Sequence, residues 1–350
     1  MKSLVLVLGA GASKEVNLPI GTELKSEIAR LLDIRFEFGS RQKSGDYQVT
    51  EALRLVASRA KEEPGQINAY LRMCWRIRDA MPQAISIDNF IDCHADVPKI
   101  AVCGKLAIAR AILAAEAKST LTINRQNSYN KLDFSKNSKT WFNGFFQLLT
   151  ENCRVEDLSA RLSSVGVITF NYDRCFEHYL FSAIQNYYGV SAEQAAELLT
   201  NLEIHHPYGL VGGLPWMRRT TSIDFGADVQ VSELVATSQQ LRTFTEGIDP
   251  AVSDIESVRA TVSDAKRLVF LGFAFHRLNM DLLFGTSGSK MKKSTQTIFG
   301  SAFGLSPSDC SAISNELSAH TGLSNGPMQL RNDLTCATLV QEYWRGLSLV

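Results

Sequence analysis

Leu4-Val5-Leu6-Val7-Leu8-Gly9-Ala10-Gly11-Ala12-Ser13 decides how the chain is read. Five consecutive apolar residues suit a strand buried on both faces of a parallel sheet, where side chains pointing either way meet no water. The glycines behind it predict a tight turn. A helix is expected from Thr22, with Thr22 as its N-cap, Glu23 at the positive helix end, and Leu24, Ile28, Leu31 and Leu32 on one face. The opening is therefore strand, glycine turn, helix. Lys2, Leu4–Leu8 and Ala10-Gly11-Ala12 also mimic a short signal peptide, but strand and turn account for them better.

Outward from this unit, the same signal returns at Val165-Gly166-Val167-Ile168-Thr169-Phe170 and at Leu268-Val269-Phe270-Leu271. Leu202–His205 is a short strand candidate and Thr297-Ile298-Phe299 the final one. A helix is expected after Phe170, with Phe176, Leu180, Ala183 and Ile184 inward and Gly189 as its C-cap. Ser191 to Gln194 forms a capping box, and Ser306-Pro307 opens a late helix. Further helices are expected over Ser232–Thr243 and Ala251–Ala265.

Residues 39–159 differ. They lack buried-strand runs and carry helical patterns at Val49–Ala60, Ile67–Arg78, Lys99–Ala117 and Lys139–Leu149, with loops at Gly39–Gly45 and Thr122–Asn137. The expected class is α/β: a Rossmann-like parallel sheet with helices on both faces, formed by residues 1–38 and 160–350, with residues 39–159 as a helical insertion.

Composition excludes several classes. The chain has 350 residues, 45% hydrophobic and 21% charged, enough to bury a core without staples. Lys+Arg and Asp+Glu are both 36, so no basic excess favours bulk nucleic-acid binding. Seven cysteines, none at C-x-x-C spacing, argue against a disulfide framework and a zinc site, and fit a reducing cytoplasm. No stretch reaches the roughly 18 apolar residues of a membrane span. Arg72, Arg76 and Arg78, and Lys290, Lys292 and Lys293, read as solvated charge clusters.

Four segments sit where chemistry would: at strand ends preceding turns or helices. In Gly9-Ala10-Gly11-Ala12-Ser13, glycines admit close approach of a pyrophosphate to backbone N–H groups. The third glycine of G-x-G-x-x-G is replaced by Lys14, so the dehydrogenase fingerprint fails, and neither Asp33 nor Glu37 follows a clear second strand as a ribose acid. Thr169-Phe170-Asn171-Tyr172-Asp173 offers an uncharged amide able to orient water or a ribose hydroxyl, or simply a helix cap. His205-His206-Pro207-Tyr208-Gly209 offers an imidazole near a glycine-rich loop. Gly272-Phe273-Ala274-Phe275 is one more glycine turn.

In this order the segments resemble the sirtuin-like NAD-consuming fold, and more closely the bacterial sirtuin-like effectors of anti-phage defence. Those show G-A-G-A-S, an L-P-x-G segment (here Leu18-Pro19-Ile20-Gly21, followed by Thr22), T-x-N-Y-D, a histidine before an aromatic–glycine pair, and a G-aromatic turn. Ser86-Ile87-Asp88-Asn89-Phe90-Ile91 is similar to a further element of that group. Two departures separate the chain from protein deacylases: Ile20-Gly21-Thr22 replaces Asp-Phe-Arg, and the zinc-ribbon cysteines are absent.

The resemblance implies hydrolysis of NAD+ at the nicotinamide–ribose bond, with no metal. It assigns Asn171 and His206 as catalytic, with His206 preferred over His205. It assigns Gly9, Ala10, Gly11, Ala12, Ser13, Pro19, Thr22, Thr169, Asp173, Gly272 and Phe273 to NAD+ binding. It further implies a cytoplasmic abortive-infection effector controlled by assembly, as a homo-oligomer or with a HerA-type ATPase or short Argonaute, without nucleic-acid or membrane contact. An NAD- or ADP-ribose-sensing module, or a sirtuin-type deacylase or ADP-ribosyltransferase, is the alternative.

Overall fold

The computed structural model describes residues 1–350 except 39–40, 62–66, 124–130, 219–220, 249–253, 286–293 and 325. The sheet strands are β1 (Leu4–Leu8), β2 (Val165–Thr169), β3 (Glu203–His205), β4 (Arg267–Leu271), β5 (Thr297–Ser301) and β6 (Met328–Arg331). All neighbours are parallel, in the order β3-β2-β1-β4-β5-β6. This is the doubly wound Rossmann-like arrangement, in which the winding reverses between β1 and β4 and leaves a crevice at their carboxyl ends.

Why β1 reads as continuous apolar sequence is visible in its burial. Leu4, Leu6 and Leu8 face one core, and Val5 and Val7 face the other. The first core is closed by the helices Trp141–Thr150, Cys175–Tyr188 and Cys336–Glu342; the second by Gly21–Leu32, Tyr47–Arg59, Ile67–Ala80 and Pro98–Glu116. Helices thus cover both faces, and residues 39–159 contribute to both cores. Pro98–Glu116 is apolar almost all round, as expected of a helix sandwiched between others. The inward stripe Phe176, Leu180, Ala183, Ile184 is buried, and Gly189 caps that helix at φ 68°. The Ser191–Gln194 capping box and the Ser306 cap form.

Several local expectations are corrected. The helix expected from Thr22 runs over Gly21–Leu32 with Ile20 as N-cap, because the Glu23 carboxylate accepts from the Ile20 N–H at 3.0 Å and moves the cap two residues earlier. The loop expected at Gly39–Gly45 contains a strand, Arg41–Ser44, pairing antiparallel with Arg35–Glu37. This hairpin is exposed or half-buried, so its polar sequence gave no core-facing signal. Thr297–Phe299 is not the last strand; β6 follows as a four-residue edge strand. The helix expected over Ser232–Thr243 ends at Ser238, and the one over Ala251–Ala265 is observed as Ile255–Ser263, its first expected residues lying outside the described set. Lys290, Lys292 and Lys293 also lie outside it. Among the described residues no helix is long and apolar enough to cross a membrane.

Candidate functional site

The sheet register brings the four segments level. Leu8 pairs with Thr169 on one side and Leu271 on the other, so β1, β2 and β4 end together. Ile168 pairs with His205, the last residue of β3, so His206 leaves that strand close to the end of β2. The Phe170 N–H donates to Leu8 O at 2.9 Å and the Gly9 N–H to Leu271 O at 3.0 Å, closing the strand ends.

Gly9, Gly11 and Gly272 exist for the contact between two turns. A Cβ on Gly9 would stand 2.6 Å from Gly272 O, one on Gly11 2.8 Å from Gly272 Cα, and one on Gly272 2.0 Å from Ala12 N. The Gly11 N–H donates to Gly272 O at 3.0 Å and the Ala12 N–H to Gly9 O at 2.9 Å. The backbone donors of Gly9, Gly11 and Ala12 are therefore engaged within the fold. The half-buried Ala10 completes this turn.

Asn171 ties the second strand end to the first. Its carboxamide donates to Gly9 O at 3.0 Å and to Ser13 Oγ at 3.1 Å, while its own N–H donates to Thr169 Oγ1 at 3.2 Å. Thr169, Asn171, Asp173 and Ser13 are all buried. Asp173 Oδ1 accepts from the Cys175 N–H at 3.0 Å, the bond to the N–H two residues on that short acids make in a turn, just ahead of the helix whose N-cap is Arg174. Burial pushes its carboxyl above the ordinary range, against the opposing hydrogen bonds of Cys175 and Ser13.

Phe273 does not stand free in the crevice. Its ring lies 5.1 Å from Phe170, 5.6 Å from Phe270 and 5.2 Å from Phe275, and Phe170 meets Tyr208 edge-on at 5.5 Å. Such pairs add about 0.5–1.5 kcal/mol each beyond burial, so this aromatic floor holds three strand ends in fixed relation. Pro19 is half-buried and Thr22 exposed, on the segment leading from the first turn into the next helix. Asp33 and Glu37 are occupied by ion pairs, Asp33 with Arg35 and Arg78, Glu37 with Lys43.

The two histidines separate cleanly. His205 Nε2 lies 2.9 Å from Glu203 Oε1 and 3.0 Å from Thr261 Oγ1, and Glu203 also pairs with Lys2 at 3.0 Å. His205 belongs to a network between β3 and the helix Ile255–Ser263. His206 Nε2 lies 2.6 Å from Glu177 Oε1, with the two side chains only 5% and 2% exposed. His206 Nδ1 is buried with no hydrogen-bond partner among the described residues. Leaving such an atom unsatisfied costs about 1–3 kcal/mol.

Other residues that support the site were missed by reading the sequence. Glu15 accepts from the Trp141 N–H and the Ala337 N–H, both at 2.8 Å, capping two helices with one carboxylate, and Trp141 Nε1 donates to Ala12 O at 2.7 Å. Arg174, next to Asp173, forms a fully buried ion pair with Glu116 from the insertion. Asp88, which lies in the Ser86–Ile91 element that the sequence did single out but without a role for its carboxylate, accepts a short hydrogen bond from the Tyr172 hydroxyl.

Burial of the Asp88 carboxyl pushes it above its ordinary value, although the Tyr172 hydroxyl pulls the other way. The sign follows from linkage. Between the ordinary value near 3.9 and the raised one, the unfolded chain has released the proton that the folded chain keeps, so stability falls as pH rises through that window. Asp88→Asn retains an acceptor for Tyr172 and removes this loss. The melting temperature of the variant relative to the parent should therefore climb as pH is raised from 4 towards neutrality. A difference that stays flat or declines would refute this account.

A surface cavity of about 520 Å³ lies elsewhere, between the helices Trp141–Thr150 and Cys175–Tyr188, lined by Phe146, Tyr179, Tyr187 and Trp344 among others. None of the strand-end residues lines it, and the chemistry-bearing groups sit at the strand ends instead. Among the described residues no cluster of histidine, cysteine and acidic side chains could hold a metal ion. Comparison with protein-family models and with curated proteins finds no match to this chain.

Proposed function

We propose that the chain is an NAD+ hydrolase that cleaves the nicotinamide–ribose bond, giving nicotinamide and ADP-ribose, in the manner of the sirtuin-like anti-phage effectors that its motifs resemble. The observation that supports this most is the joining of distant motifs at the topological switch. Asn171 bonds Gly9 and Ser13, Gly272 seats against Gly11 and Ala12, and the residue before His206 pairs with Ile168 near the end of β2. Ligands of doubly wound sheets bind at this end.

The chemistry asks little of an acid. Nicotinamide leaves a cationic pyridinium as a neutral molecule, while the ribose becomes oxocarbenium-like. The protein has to hold the dinucleotide, place one water and receive one proton. Asn171 orients water and ribose hydroxyls, His206 serves as base or ribose anchor, and Asp173 orders the loop and stabilises positive charge on the ribose. Gly9–Ser13, Pro19, Thr22, Thr169, Gly272 and Phe273 shape the NAD+ cleft.

Ser13, Asn171, Asp173 and Phe273 are all buried, which favours a site that opens on assembly. Control by homo-oligomerisation, or by a HerA-type ATPase or short Argonaute partner in the cytoplasm, fits this need, because an unregulated NAD+ hydrolase is toxic. The occupied amide donors of Asn171 also suit a second reading, an NAD- or ADP-ribose-sensing module.

Purified chain incubated with NAD+, alone and with candidate partners, tests both. Nicotinamide and ADP-ribose should accumulate, and Asn171→Ala and His206→Ala should each slow release by about 10²-fold or more. Binding without turnover in every assembly would establish the sensor. Transfer of ADP-ribose to protein, or deacetylation of an acetyl-lysine peptide, would replace hydrolysis with those activities.

A further inference from the structure

Glu177 follows Asn171 by six residues and sits in the first turn of the helix Cys175–Tyr188, the helix that leaves β2. An acid in a first turn is ordinarily placed there by the helix dipole, and a solvated one serves that purpose. Glu177 is instead buried and in contact with His206 Nε2, while His206 Nδ1 is shielded from water and meets no partner among the described residues. His205, one residue earlier, shows the structural alternative: its Nε2 contacts both Glu203 and Thr261.

A carboxylate only accepts hydrogen bonds, so the imidazole nitrogen facing it must carry the proton. The geometry points to Glu177 as a positioning residue that holds the His206 proton on Nε2 and presents Nδ1 as the proton acceptor of the site. The Nε2 proton stands on the contact with Glu177, and the bare Nδ1 on its burial with no acceptor for an N–H among the described residues; the identity of the proton donor rests on the hydrolase proposed above. In that reaction the water oxygen bonds to ribose C1′, and the C1′–nitrogen bond breaks with its electron pair passing to nicotinamide. The water proton goes to Nδ1. The resulting imidazolium is balanced by the Glu177 carboxylate and later returns its proton to solvent, the division of labour between a base and its orienting acid.

Full-length protein labelled with ¹⁵N-histidine tests this, the His206 signals being assigned by their loss in His206→Gln. At mildly alkaline pH the folded parent should show a protonated Nε2 and an unprotonated Nδ1. Glu177→Gln, whose side chain can accept or donate, should populate both tautomers, lower kcat for NAD+ by about 10²-fold and leave KM nearly unchanged. Glu177→Asp should restore part of both. A proton on Nδ1 in the parent overturns the inference even if no variant folds, as does a folded Glu177→Gln with the parental tautomer. The two proposals fail separately. The expected tautomers without NAD+ turnover in any assembly leave the positioning role intact and remove the hydrolase. Parental turnover by Glu177→Gln does the reverse.

Discussion

Glu116→Ala should lower the unfolding free energy by about 3–5 kcal/mol, the range for stranding one partner of a buried ion pair. Glu116 and Arg174 are both 0% exposed. Arg174 reaches Glu116 through its guanidinium, with Nε 3.1 Å from Oε1, and its backbone N–H donates to the same oxygen at 3.2 Å. The guanidinium also donates to Ile223 O at 2.6 Å and to Gly212 O at 3.4 Å. Removing the carboxylate leaves a desolvated cation held only by carbonyl dipoles. Glu116→Gln keeps an acceptor and should cost less. Arg174→Met combined with Glu116→Leu should cost less than the two single changes summed, because neither charge is then left alone. Denaturant unfolding followed by two probes reads this, provided the slope is unchanged. A loss below about 1 kcal/mol for Glu116→Ala, the range of exposed pairs, would show that water reaches the pair. Because Arg174 adjoins Asp173, the same change should also loosen Asn171 and depress turnover.

That pair marks where sequence reasoning stops. The doubly wound sheet was legible because burial on both faces forces apolar runs, and Leu4–Leu8, Val165–Thr169 and Leu268–Leu271 carry them. Asn171 and the glycine turns were legible because they stand directly behind those runs. Met328–Arg331 was not: its alternation spans only four residues on an edge, where one face needs no apolar cover. Glu116 ends an alanine-rich helix and reads as its polar terminus; nothing local says that its partner lies 58 positions away. Glu15 and Glu177 read as ordinary helix acids for the same reason. The available hint was position: Glu177 adjoins the inward stripe Phe176, Leu180, Ala183, Ile184, where a surface acid is out of place. Periodicity reports which face is buried, while polar pairs inside the fold are set by tertiary approach.

Gly272→Ala should remove about 4 kcal/mol or more and prevent folding if the margin is smaller. Two costs combine. Gly272 has φ +57°, which an alanine adopts at about 1–3 kcal/mol. The added Cβ would also stand 2.0 Å from Ala12 N and 2.2 Å from Gly11 C, both backbone atoms that cannot rotate away. Relief requires the β1 and β4 turns to part, which breaks the Gly11 N–H to Gly272 O bond and lifts Phe273 from Phe170. Gly304→Ala isolates the first cost, since Gly304 has φ +81° and nothing within 4 Å of a new Cβ. It should lose only the conformational part, with NAD+ turnover, where present, unchanged. Equal melting temperatures for Gly272→Ala and Gly304→Ala would mean that the two turns are not in contact. The contact carries functional weight because Asn171 hangs from the same turn through Gly9 O and Ser13 Oγ. If Gly272→Ala folds at low temperature, it should behave in NAD+ assays as Asn171→Ala does, since parting the turns withdraws the partners that hold the amide in place.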